Sequence, residues 1–248
     1  MRALILVATM TVVASAHTSA KKSKHAIHKK KKRRAAKRVH RVTVEQQYAA
    51  FAGVGRVRYE GDLPPGFAWP ATDDMRSVEQ GCEAELTALG LDWQNADALG
   101  EITDPVVVPA MVFGGVVYKS GYDKGPFVID CQLARMLGRV GPSLWNVGVR
   151  GVTFGSTYRN TRVRFMGHRG KALSRHALGL AMDVVSFTDK DGRVVTVTTD
   201  YPKKNRLLLA IEDLIDHDKD FRILLTPKND PISHKDHFHF EASVDFRP

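Results

Sequence analysis

The sequence predicts an α+β fold, a single domain with a mostly antiparallel sheet and flanking helices. Three observations carry this. Short β-branched and aromatic segments recur from about residue 105 onward, two stretches repeat apolar residues at helical spacing between cap residues, and no internal repeat marks a second domain.

The elements follow in order. "SVEQGCEAELTALG" places Val78, Cys82, Leu86 and Leu89 at helical spacing and stops at Gly90, which predicts a first helix. "PVVVPAMVFGGVVY" reads as two short strands around Gly114-Gly115, a hairpin signal. "DCQLARMLGRVG" predicts a second helix with Asp130 as N-cap and Gly138 or Gly141 as its end. "GVRGVTFGSTY" reads as a strand, and "AMDVVSF", "RVVTVTT" and "HFHFEAS" as three more. A helix between Leu207 and Ile215 separates the last two. Ahead of these, residues 43–74 contain the Pro/Gly-rich "GDLPPGFAWPATDD" and read as a linker, so the domain runs 75–248.

The ends of the chain bear on compartment. Met1-Arg2 precede the apolar run "ALILVATMTVVA", and small residues ending at Ala16 or Ala20 follow. That is the layout of a secretory signal peptide over residues 1–20, since about a dozen apolar residues are too few for a bilayer span of about twenty. A secreted or periplasmic protein is expected. Residues 21–42 hold twelve Lys or Arg and no acid, which predicts a disordered basic arm. Setting those twelve and Arg2 aside leaves 24 basic against 27 acidic residues, so the net +10 does not belong to the domain. Nucleic acid is therefore not the expected partner. Anionic envelope polymers or lipid head groups suit the arm, and a plain soluble spacer suits it equally. Cys82 and Cys131, an even pair in an exported chain, predict a disulfide. The sequence leaves the oligomeric state open.

Two short stretches carry the chemistry. "SRHALGLAMD" sets His176 seven residues before Asp183, and on a continuous helix they would stand about 10 Å apart along the axis, too far for one metal ion. Gly179 and the following "AMDVVSF" instead predict a loop running into a strand, which folds His176 back toward Asp183. In "HKDHFHFE", strict alternation sends His237, His239 and Glu241 to one face and Phe238 and Phe240 to the core. His239 can then join His176 and Asp183 as a three-ligand Zn2+ site with an open position.

These stretches resemble those of a known superfamily. "SRHALGLAMD" is similar to the Ser-x-His-x-x-Gly-x-Ala-x-Asp signature of zinc peptidases that cut cell-wall peptides, the D-Ala-D-Ala carboxypeptidases and dipeptidases and the penicillin-insensitive murein endopeptidase. "HKDHFH" resembles the His-x-x-His-x-His of the endopeptidase branch. Within that group the chain looks most like the bacterial extensin-like C-terminal domain, with a "GCxAEL"-like start at Gly81 to Leu86, a second cysteine, Cys131, before a helix, and a Ser/Tyr/Arg element in "GSTYR". The likeness covers about Val78 to Ala242.

The resemblance implies a zinc peptidase-like fold and His176, Asp183 and His239 as zinc ligands. It implies His237 and His234 beside the metal as base or transition-state stabiliser, and Arg159 on the scissile carbonyl or a substrate carboxylate. Two departures stand out. Asp236 occupies the place of the general-base Glu of the dipeptidase branch, so either Asp236 or His237 is the proton acceptor. Thr157 and Asn160 flank the Tyr/Arg element where the extensin-like group usually adds a cysteine. His168, without such neighbours, is expected at the surface. The function implied is hydrolysis of amide bonds in peptidoglycan stem peptides or cross-links, with the bond left open. The alternative is a non-catalytic envelope-binding module with a structural metal.

Overall fold

The computed structural model describes residues 63–165 and 168–248, and of residues 164, 165 and 168–171 only the backbone. The expected signal peptide, the basic arm and residues 43–62 of the expected linker lie outside the described residues, as does the side chain of His168.

Helix α1 (Asp73–Ala88) starts at Thr72, whose hydroxyl accepts from the Met75 amide, and buries Met75, Glu79, Cys82 and Leu86. Gly90, at φ +69°, turns the chain away at the expected place. The expected domain start at Met75 falls inside this helix, and the residues before it are part of the fold. Phe246 N donates to Pro65 O, and the Phe67 and Phe246 rings lie 6.4 Å apart, so the C-terminus clasps the segment entering α1.

Strands β1 (Gln94–Asn95), β2 (Pro105–Val107) and β5 (Val128–Asp130) form a small antiparallel sheet, while β3 (Val112–Phe113) and β4 (Val116–Ser120) form the hairpin. Its turn residues, Gly114 at φ +56° and Gly115 at φ +88°, take the left-handed conformations that a two-residue turn matching strand twist requires. The "PVV" run therefore serves a different sheet from the hairpin it was read with.

Helix α2 (Cys131–Asn146) begins where expected, with the Asp130 carboxylate accepting from Gln132 N, but continues past both expected stops. Close packing explains this. A Cβ on Gly141 would collide with the Phe113 carbonyl and one on Gly138 would meet Leu89 Cδ1 at 3.0 Å, so both glycines serve contact rather than termination. A disulfide joins Cys82 to Cys131 and ties α1 to the first residue of α2, with Cα atoms 6.1 Å apart.

The main sheet has seven strands. Beyond β3 and β4 it contains β6 (Val149–Ser156), β9 (Ala181–Asp189), β10 (Val194–Thr196), β11 (Phe221–Leu225) and β12 (Phe238–Ala242), ordered β11-β12-β9-β6-β4-β3 with β10 on β9. Only the β4–β6 pair is parallel, as an α+β architecture with a mostly antiparallel sheet demands. A separate hairpin pairs β7 (Arg162–Phe165) with β8 (His168–Leu173). The "RVVTVTT" strand is cut short at Thr196, because the Asp200 carboxylate accepts from Thr196 N and closes the helical turn α3 (Val197–Asp200). Helix α4 (Arg206–Asp216) stands as expected, and β11, which the sequence reading overlooked, follows it. Helix α2 packs across β6 and β12, and Val152, Phe154, Met182, Val184, Phe238 and Phe240 form the buried face between them.

Candidate metal centre

Strand register builds one side of the site. In the β12–β9 ladder His239 lies directly opposite Asp183, while Phe238 opposes Val184 and Phe240 opposes Met182. Opposed residues point the same way, so the core claims the phenylalanines and leaves His239 and Asp183 together on the other face. On β6 the register slips between Phe154 and Ser156, leaving Gly155 as an extra residue. That bulge brings Ser156 opposite Asp183, and Ser156 Oγ donates to Asp183 Oδ2 at 2.9 Å.

His176 arrives from a tight turn. Ser174 caps a 3₁₀ turn (Arg175–Leu178) by accepting from His176 N, and Gly179 at φ +69° ends it just before β9. A Cβ on Gly179 would press to 2.7 Å from Asp130 N, so the reversal needs a glycine twice over. The turn sets His176 Nε2 3.0 Å from Asp183 Oδ1 and 3.2 Å from His239 Nδ1, and His239 Nδ1 lies 2.8 Å from the same Oδ1.

The far nitrogens decide the chemistry of this triangle. His176 Nδ1 donates to the Thr157 carbonyl and His239 Nε2 donates to Glu241 Oε1 at 2.8 Å, so each ring aims its other nitrogen at Asp183. Two imidazole lone pairs and a carboxylate oxygen then converge on one point. Such a set needs a positive centre among its members. Burial acts to lower the His239 pKa, yet the bonds to Asp183 and Glu241 outweigh it and lift the group to about 9. Burial likewise acts to raise Asp183, but the charge and hydrogen bonds of His176, with those of His237 and His239, hold its carboxyl well below the usual range. Burial lowers His176. Once a cation displaces the His239 proton, two imidazoles with anchored far nitrogens and one ionised carboxylate are a donor set that fits a zinc-class ion, which meets the demand for positive charge with all three ligands at once.

A second cluster adjoins the first through Asp183. His234, His237 and Asp183 bring ligand-capable atoms within 4.8 Å of one another, and His237 Nε2 stands 3.4 Å from Asp183 Oδ1. His234 Nδ1 lies 2.9 Å from the wholly buried Asp230, and His237 Nδ1 lies 2.8 Å from Asp236. The structure thus places Asp236 as the partner behind His237. Arg159 reaches Asp183 Oδ2 with Nη2 at 2.8 Å and keeps 46% of its side chain exposed.

Four residues here escaped the sequence reading as site members: Glu241, Asp230, Ser156 and Arg222. Glu241 anchors His239 and is itself bonded by Arg222 Nε at 2.6 Å. Its signal was present, since alternation already set it on the face of His239. Asp230 precedes His234 by four residues, a spacing that signals nothing until a loop is known to fold there. That loop is tied by Thr226 N donating to Asn229 Oδ1 and by His234 N donating to Asp230 O.

No curated protein and no solved structure matches this chain. The stretch that carries all four site histidines, Asp183, Arg159 and the α2 helix, residues 125–247, matches the family described as the extensin-like protein C-terminus.

Proposed function

We propose that this chain is an exported zinc peptidase that hydrolyses amide bonds of peptidoglycan stem peptides or cross-links. The observation that carries the reading is the set of four histidines around one carboxylate, each with one ring nitrogen bound to a carbonyl or carboxylate. The likeness of "SRHALGLAMD" and "HKDHFH" to cell-wall zinc peptidases supports the same substrate class. His176, Asp183 and His239 would hold the zinc ion, which would supply Lewis acidity and make a bound water more acidic.

The protein's own groups do the rest. Ser156 and Arg159 occupy Asp183 Oδ2, which keeps Oδ1 turned to the imidazoles. His237 is positioned to take a proton from the attacking water through Nε2 and hand it to the leaving amine, while Asp236 on Nδ1 stabilises the imidazolium formed in between. The exposed part of Arg159 is available to a substrate carbonyl or carboxylate. The basic arm adds attraction to anionic envelope material.

The test is incubation of purified protein with defined muropeptides and identification of products by mass. Products heavier in sum by one water are expected. His239→Ala should lower zinc affinity by orders of magnitude while β12 persists on Phe238 and Phe240. His237→Ala should keep the ion on His176, Asp183 and His239 but lower turnover by roughly 10²- to 10⁴-fold. Stoichiometric zinc without cleavage of any linkage would replace this reading by the envelope-binding module.

A further inference from the structure

One oriented histidine suffices to carry a proton, and this site holds two. His234 and His237 sit together with ring centroids 5.0 Å apart, and both have the supporting feature expected of metal ligands, a carboxylate on the far nitrogen. The triads His176/Asp183/His239 and Asp183/His234/His237 share Asp183 and no other residue. Because Ser156 and Arg159 hold Oδ2, it is the single atom Oδ1 that faces both sets, 2.8 Å from His239 Nδ1, 3.0 Å from His176 Nε2 and 3.4 Å from His237 Nε2. Donors around a tetrahedral zinc with bonds near 2.05 Å stand about 3.3 Å apart, so both sets are close to ligating separation. Two ions sharing one oxygen lie about 3.5–4 Å apart, the spacing of dinuclear hydrolase sites.

We propose that Asp183, His234 and His237 form a second site for a divalent cation of the zinc class, bridged to the first through Asp183 Oδ1, and that its occupation suppresses hydrolysis. The inhibitory part rests on the peptidase reading above. A nitrogen lone pair that holds a cation cannot accept a proton, so filling the second site removes His237 from proton transfer. The outer carboxylates Asp230 and Asp236 make the second set a competent ligand group, and whichever ion binds second is held more weakly, because the anionic charge of Asp183 is then divided between two ions and the ions repel each other.

Cobalt titration of the full chain tests this directly, because Co2+ takes zinc sites and is paramagnetic. The first equivalent should give the visible absorption and electron paramagnetic resonance of an isolated ion. The second should diminish that resonance by coupling through Asp183 Oδ1, which an ion bound by histidines of the basic arm cannot do. His237→Gln and His234→Ala should each abolish the coupling and keep the first absorption band, and His237→Gln, in the loop just before β12 and less buried than His234, is the variant less able to disturb folding. No coupling in the wild type at any loading, or coupling undiminished in both variants, overturns the second site.

With zinc, turnover on muropeptides at one equivalent should fall by about tenfold or more as the second binds, the scale of losing a positioned proton acceptor. Coupling with unchanged turnover overturns the inhibitory role. Coupling in a protein that cleaves nothing at either loading supports the site while removing the peptidase reading.

Discussion

Glu241 shows how much of this site rests on residues outside the Asp183 cluster. Burial acts to raise its pKa, but Arg222, His239 and the buried Arg175 hold the carboxyl far below the usual range, so it remains an anion in the interior. Its charge fixes His239 with Nε2–H outward and Nδ1 toward Asp183. Glu241→Gln should therefore weaken zinc binding by about 10- to 100-fold, the usual cost of losing such a partner, while leaving the β12 backbone in place. Competition with a chromogenic chelator measures it, and unaltered affinity would show that His239 holds its tautomer without help. At this scale the meeting of His176, Asp183 and His239 was legible because motif spacing and alternation identify residues that come together. Asp230 and Ser156 were not, because one depends on a folded loop and the other on a bulge.

At the scale of elements, the α1–α2 contact pairs the disulfide with a buried acidic cluster. Glu79 Oε2 accepts from Gln132 Nε2 at 2.9 Å, beside Cys82 and Cys131, and Asp130, the residue before Cys131, caps α2. Desolvation raises Glu79 to about 10, with the neighbouring Asp130 adding to it, and burial raises Asp130 as well. A carboxyl raised in the folded state keeps a proton that the unfolded chain releases, so stability is full below about 4.5 and is lost as pH climbs toward about 10. Glu79→Gln removes that loss. The variant should melt several degrees higher than wild type at pH 8 and no higher at pH 4. Equal melting temperatures at both pH values would exclude a protonated Glu79.

The bridge itself closes a separation of 49 residues. Cys82→Ser/Cys131→Ser should lower unfolding stability by up to about 4 kcal/mol in denaturant titration, since the unfolded chain regains the entropy that the loop removed. Three helices and six strands of this framework were readable from caps and alternation. The end of α2 was not, because Gly138 and Gly141 resemble stop signals until their packing partners are known.

For the whole molecule, charge segregation is the dominant long-range property. Twelve of the 37 basic residues fall in 21–42, and residues 43–248 are slightly acidic. If the peptidase proposal holds, a chain lacking 21–42 should lose salt-sensitive retention on anionic polymer and keep its turnover on small muropeptides, because a short substrate offers the arm few charges to attract. Retention of the truncated chain at unchanged salt dependence refutes a role for the arm in attachment.

By itself the sequence determined the α+β class, the sheet strands around the site, the cysteine pair and the identity of the histidines that gather. Each is local or pairwise, written in periodicity, caps or motif spacing, and each survives whatever the rest of the chain does. Tertiary structure alone decided which nitrogen of each histidine is free, that Asp183 divides its two oxygens between Ser156 with Arg159 and the imidazoles, and that His234 and His237 form a triad of their own. Those facts depend on strand register, one bulge at Gly155 and a loop closed by Asn229, arrangements in which residues far apart in sequence are brought to hydrogen-bonding distance by packing that no single segment encodes.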